Sequence, residues 1–131
     1  MMKNFYVDTT KGLDVLNVVH EIRGVVRETK MQDGNVTIVV PDPGAAVVAM
    51  EKEAKIEELK NGLEPLRASG VLRCLLPRSL VMTVEKGKMS IEPWQEIFLI
   101  DYETAGRRRE FRVQIQGEPA PGGTAGKEKA K

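Results

Sequence analysis

Cysteine and histidine are nearly missing from this chain, with one of each among 131 residues. A single thiol cannot build a disulfide framework or a zinc site resting on several thiolates. A single imidazole cannot build a multi-histidine metal centre within one subunit. Aromatic residues are also sparse, at 5%. Neither sign of charge dominates, because 20 Lys+Arg face 19 Asp+Glu for a net charge of +1. That balance argues against a polybasic nucleic-acid binder and against an acidic tail protein. Long apolar runs are missing as well: the opening residues show none ahead of a small-residue cleavage site, and none elsewhere approaches the length of a membrane span. These absences predict a reduced, cytoplasmic protein with no membrane contact. A hydrophobic content of 41% suffices for one core.

What the sequence does contain is ordered hydrophobic patterning. Phe5-Tyr6-Val7 predicts an opening strand. Val15, Val18, Val19, Ile22, Val25 and Val26 recur at helical spacing, predicting a helix from Asp14 or Asn17, either of which can cap it, to about Thr29. The β-branched run at residues 36–40 predicts a strand buried on both faces, stopped by Pro41-Asp42-Pro43-Gly44. Residues 45–50 fit either strand or helix. Ile56, Leu59, Leu63 and Leu66 mark a second helix, which Gly62 weakens or ends early, with Pro65 just beyond. The second half reads as β: residues 71–76, 80–84, 89–91, 94–102 and 111–115, with a Gly-bearing hairpin turn at 85–88. After Glu118 no large apolar residue remains, and residues 119–131 are expected to be a disordered tail behind a single domain at 1–118.

Few residues stand out chemically. His20 projects away from the apolar stripe of its helix and reads as a solvated surface group. Cys74, among Leu72, Leu75 and Leu76, reads as a small core residue. Arg107-Arg108-Arg109 falls in a turn and reads first as a solvated loop, with a phosphate clamp or an interface salt-bridge cluster as its alternatives. Glu51 differs from the solvated helix-face carboxylates near it because it sits at a junction of elements, where sites are commonly built. Trp94, just after Pro93, reads as a core or interface anchor. No phosphate loop, dinucleotide fingerprint, nucleophile elbow or metal signature occurs, and any cofactor is unknown from the sequence.

In order, several segments resemble the YjbQ-like family: the strand at 36–40 entering Pro41-Asp42-Pro43-Gly44 and Glu51; Ser79-Leu80; Val84-Glu85-Lys86-Gly87-Lys88-Met89; Pro93-Trp94-Gln95-Glu96-Ile97; the arginines 107–109; and Gln116-Gly117-Glu118. The resemblance spans roughly residues 5–118. It implies a compact α+β fold, β-α-β-β-α-β-β-β-β with a mainly antiparallel sheet or sandwich, in which residues 45–49 form a strand. It also implies a homotrimer and an activity described as secondary thiamine-phosphate synthase, which joins a pyrimidine pyrophosphate to a thiazole phosphate.

The departures fall on reactive groups. The family histidine of a Pro-His-Thr segment is Asp42 here, and a second falls at about Gly70. Imidazole donates and accepts near neutral pH, whereas a carboxylate is no neutral donor. The resemblance therefore implies a divergent member with weak or lost catalysis. Asp42 and Glu51 are its candidate catalytic groups, and Trp94, Gln95 and Arg109 its candidate ligand-binding groups, in a pocket for a phosphorylated small molecule. The alternative is a non-catalytic trimeric structural or interaction module. Nucleic-acid binding through Arg107, Arg108 and Arg109 is the least favoured reading.

Overall fold

Antiparallel pairing governs the whole architecture. The computed structural model of the chain describes residues 1–51, 55–67, 69–103 and 106–119. Its elements run β1 (Met2–Asp8), β2 (Asp14–Asn17), α1 (Val19–Thr29), β3 (Met31–Val39), β4 (Ala45–Glu51), α2 (Ile56–Arg67), α3 (Leu72–Leu75), β5 (Ser79–Glu85), β6 (Lys88–Met89), β7 (Gln95–Asp101) and β8 (Arg108–Pro119). A five-stranded sheet has the order β1-β8-β3-β5-β6 and a three-stranded sheet the order β2-β7-β4. Every pairing is antiparallel. The class is α+β, as expected.

Three layers follow from which faces are apolar. The inner face of the large sheet, carrying Val36, Ile38, Phe111, Val113 and Ile115, packs on α1 and on one face of the small sheet through Val47, Ile97 and Leu99. The other face of the small sheet packs Ala46 and Ile100 against α2 and α3 through Leu59, Leu63 and Leu72. The small sheet is thus covered on both sides, which accounts for the unbroken apolar run Ile97-Phe98-Leu99-Ile100 on β7. The outer face of the large sheet has no covering layer among the described residues.

Several expectations change. Asp14–Asn17 is not the first turn of α1 but strand β2, paired with residues 98–101 of β7. Val15 and Leu16 are as compatible with a strand as with a helix, and a ladder to an existing β7 outweighs Val's modest helix propensity. Neither Asp14 nor Asn17 is the N-cap, which is Val18 with no side-chain cap bond; Asn17, one residue earlier, accepts through its Oδ1 from the Val19 N–H at 3.0 Å. Strand β3 is fully buried on one face only, since Thr37 and Val39 on the other are half-exposed; the strand buried on both faces is β7. Helix α2 continues through Gly62 and Pro65 to Arg67. Proline removes one bond, to the exposed Asn61 carbonyl, which water can satisfy.

Residues 71–76 do not form a strand. They hold the short helix α3, in which Leu72 points inward and Cys74 is exposed, so Cys74 is no core residue. Apolar residues at 71, 72, 75 and 76 satisfy one helical turn as readily as a strand, and the Gly70 carbonyl accepts from the Arg73 N–H at 3.2 Å to start that turn. Of the tail expected at 119–131, Pro119 instead ends β8 opposite Met31, and residues 120–131 lie outside the described residues.

Strands β3 and β8 cross most closely at Gly34, which lies opposite Gly117 beside the register shift at Met31/Asp33. A methyl group on Gly34 would meet the Gly117 Cα and the Met31 Sδ, each at 2.7 Å. Gly34→Ala is expected to lower stability by about 1–3 kcal/mol, read as a shifted urea midpoint. Gly24→Ala on α1, where an added Cβ meets nothing within 4 Å, should leave it unchanged or raised.

Candidate functional site

The ladder between β4 and β7 separates the five sequence candidates into two groups. Glu51 stands opposite Gln95 at one end, and Ala45 opposite Asp101 at the other. Six residues of strand put about 20 Å between these ends. Glu51, Trp94 and Gln95 lie at the first end. Asp42 and Arg109 lie near the second. Within one subunit they do not converge.

At the first end Glu51, Trp94 and Gln95 line an open groove of about 480 Å³ with Lys55, Leu59 and Met50. The loop before β7 is self-braced: the Gln95 N–H donates to the Glu92 carbonyl at 2.9 Å, and the Gln95 Oε1 accepts from the Glu92 N–H at 3.3 Å. That leaves the Gln95 amide NH₂ to donate. Trp94 is 55% exposed, so within this chain it is not a core anchor. The arrangement offers an aromatic face, an amide donor, one carboxylate and one ammonium, a set suited to a flat polar molecule.

The second end is a closed polar network. Arg109 was expected in a solvated turn, yet it begins the inward face of β8 and is 0% exposed. Its Nε donates to Asp101 Oδ2 at 3.0 Å and its Nη2 to Asp101 Oδ1 at 3.1 Å and Glu103 Oε1 at 2.7 Å. Its Nη1 donates to the Pro43 carbonyl at 3.2 Å. Thr9 Oγ1 donates to Asp101 Oδ2 at 2.6 Å. Gly44 leaves room for the guanidinium, since a Cβ there would approach Arg109 Nη2 to 2.9 Å, and its φ of +95° also excludes most side chains.

Burial pushes the Asp101 carboxyl up, but hydrogen bonds from Arg109, Thr9 and the Glu103 N–H, with the Arg109 charge, hold it below the ordinary carboxylate range. Burial likewise works against the Arg109 charge, and Asp101 and Glu103 more than offset it, raising its pKa. The other two arginines of the triplet also have partners. Arg107 meets Glu103 at 3.3 Å and Asp42 at 3.8 Å, and Arg108 lies 5.3 Å from the Tyr6 ring centroid. His20 is exposed on α1 and does not line the groove at Trp94.

Asp101, Glu103 and Thr9 escaped the sequence reading. A carboxylate closing the apolar run of β7 was the available signal, because a buried acid requires a partner.

Two antiparallel sheets with a groove at one end of the small one define the class: a compact α+β scaffold open at a strand terminus. The chain belongs to the family described as UPF0047 protein YjbQ-like, whose model matches residues 3–118. The UPF0047 protein MJ1081 of Methanocaldococcus jannaschii is 23% identical, over 90% of this chain and 96% of its own. The fold is shared with hypothetical protein APE1520 of Aeropyrum pernix, at a TM-score of 0.83 and 22% identity over 90% of this chain and 99% of that one. It is shared also with a YbjQ-like protein of unknown function from Sulfolobus solfataricus, at a TM-score of 0.82 and 22% identity over 90% and 97%.

Because the Asp101 carboxyl is held low in the fold, its contribution is fully present above its unfolded value of about 3.9 and is lost as pH falls through the lower folded value. Thermal unfolding followed from pH 7 to pH 2 should show that acid limb, and Asp101→Asn should flatten it. Asp101→Ala leaves the buried guanidinium with Glu103 as its remaining carboxylate and is expected to cost about 3 kcal/mol, whereas the double change Asp101→Leu with Arg109→Met should cost less.

Proposed function

We propose that this YjbQ-type protein binds a phosphorylated heteroaromatic small molecule in the groove at Glu51, Trp94 and Gln95, with catalysis of the thiamine-phosphate synthase type weak or lost. The observation that carries the reading is the union of an exposed tryptophan, a free amide donor and a carboxylate at the paired ends of β4 and β7. The ring of the ligand stacks on Trp94, the Gln95 amide orients it, and Lys55 faces its phosphate. Weak catalysis is supported by what stands where the family carries histidine. Asp42 faces Arg107 at the far end of the ladder, and among the described residues the groove carries one carboxylate and no imidazole. An exposed thiol at Cys74 fits the reduced cytoplasm in which the protein is expected to work.

The homotrimer implied by the resemblance has a candidate surface in the uncovered face of the large sheet, where Met2, Tyr6 and Val81 are exposed. A non-catalytic trimeric module would use the same face. Light scattering is expected to give three times the 14.6 kDa chain mass, and a monomer would refute that assembly.

Trp94 is the chain's one tryptophan, so its emission reports on the groove alone. Titration with thiamine phosphate, or with the pyrimidine pyrophosphate and thiazole phosphate precursors, is expected to quench it saturably. Gln95→Ala should weaken binding about tenfold. Product formed from the two precursors should stay near background. Turnover matching histidine-containing relatives would overturn the loss of catalysis, and an unresponsive Trp94 would overturn the binding site.

A further inference from the structure

A second groove, on the α1 side of the loop that leads into Trp94, carries a different chemistry. It lies between α1 and the β5–β6 hairpin, has a volume of about 450 Å³, and is walled by Arg23, Arg27 and Lys88 over Val26, Met89 and Ile91. Arg23 and Arg27 are one helical turn apart and so project side by side. No carboxylate lines this groove among the described residues. Among the described residues neither Arg23 nor Arg27 makes an ion pair. Glu28, next to Arg27 in sequence, is already taken by Lys3 at 3.0 Å. Lys88 stands opposite Glu85 on the hairpin and Met89 opposite the core residue Val84, so alternation turns the Lys88 side chain to the sheet face away from α1. Two guanidiniums therefore border one cavity.

We infer that this groove is a binding site for an organic phosphate monoester with an apolar body, separate from the groove at Trp94. Two guanidiniums present paired N–H donors that match phosphate oxygens. A phosphate dianion answers that charge better than a single carboxylate does. The apolar floor takes the ester group, and the volume suits a small molecule rather than a chain.

The test uses the full-length protein and phenyl phosphate, with inorganic phosphate and benzoate alongside. Calorimetry should show saturable binding of phenyl phosphate, weakened about tenfold by Arg23→Gln and again by Arg27→Gln. The unliganded variants should melt at or above the parent temperature, because each change relieves like-charge repulsion. Methyl resonances of Val26, Met89 and Ile91 should move on binding, a readout that needs no variant. Trp94→Ala should leave the affinity unchanged, which separates this site from the proposed function. Inorganic phosphate or benzoate binding as tightly as phenyl phosphate would overturn the assignment. So would affinity retained in the Arg23→Gln/Arg27→Gln double variant, or affinity lost with Trp94→Ala.

Discussion

The bidentate pair between Arg109 and Asp101 is the constraint on which the rest of the structure depends. One partner opens β8 of the large sheet and the other closes β7 of the small sheet, so the pair sets how the two sheets meet. Burying two charges is expensive, and the cost is met only where geometry is good and the remaining donors and acceptors are filled. Here they are filled: Pro43 accepts from the guanidinium, and Thr9 and the Glu103 N–H donate to the carboxylate. Among the described residues no buried side-chain polar atom lacks a partner. The network ties together the loops after β1, after β3 and after β7, as well as the two sheets. It leaves little freedom at that end of the molecule.

That closure explains where chemistry can occur. A guanidinium with its donors engaged by two carboxylates and a carbonyl has little left for a ligand, and Asp42 is drawn to Arg107 at the rim of the same network. The opposite end of the β4–β7 ladder has no such closure. There the strands finish, the bracing is confined to a short loop around Gln95, and an aromatic ring stands in solvent. A rigid end and an open end on one small sheet is an economical way to hold a binding groove still, because register fixed at Asp101 propagates along β7 to Gln95.

Much of the fold was legible because period and chemistry agreed. Residues 111–115 alternate cleanly, and β8 follows. The stripe Val19, Ile22, Val25, Val26 belongs to α1 alone. Where one residue set satisfied two periods, the sequence was silent: Val15 and Val18 fit both helix and strand, and residues 71–76 fit both a strand and a helical turn. Only the ladder to β7 and the Ser69-Gly70 turn decide these, and both are tertiary facts. Glu51, Trp94 and Gln95 were singled out through resemblance to ordered family segments, but in one pocket with Asp42 and Arg109, which the β4–β7 ladder sets at the other end of the small sheet. The burial of Arg109 was not legible, because three consecutive arginines look solvated until the partner acid, eight residues earlier, is seen on β7 of the other sheet.

The distribution of cations carries a last consequence. Transfer of a group from a pyrophosphate needs positive charge where the leaving group develops its negative charge. The groove at Trp94 has the stacking surface and the amide for a heteroaromatic ring, but among the described residues its one lining cation is Lys55, and that ammonium already lies 3.7 Å from Glu58. Arg107 and Arg109 are spent on Glu103, Asp42 and Asp101 at the far end. Arg23 and Arg27 sit beyond the loop at residues 90–94, in a cavity that no carboxylate lines among the described residues. Ring recognition and a carboxylate thus share the groove at Trp94, while the paired guanidiniums suited to a pyrophosphate line a different one. That separation of charge from ring recognition, with Asp42 engaged at the far end of the ladder, favours the proposed binding role over turnover.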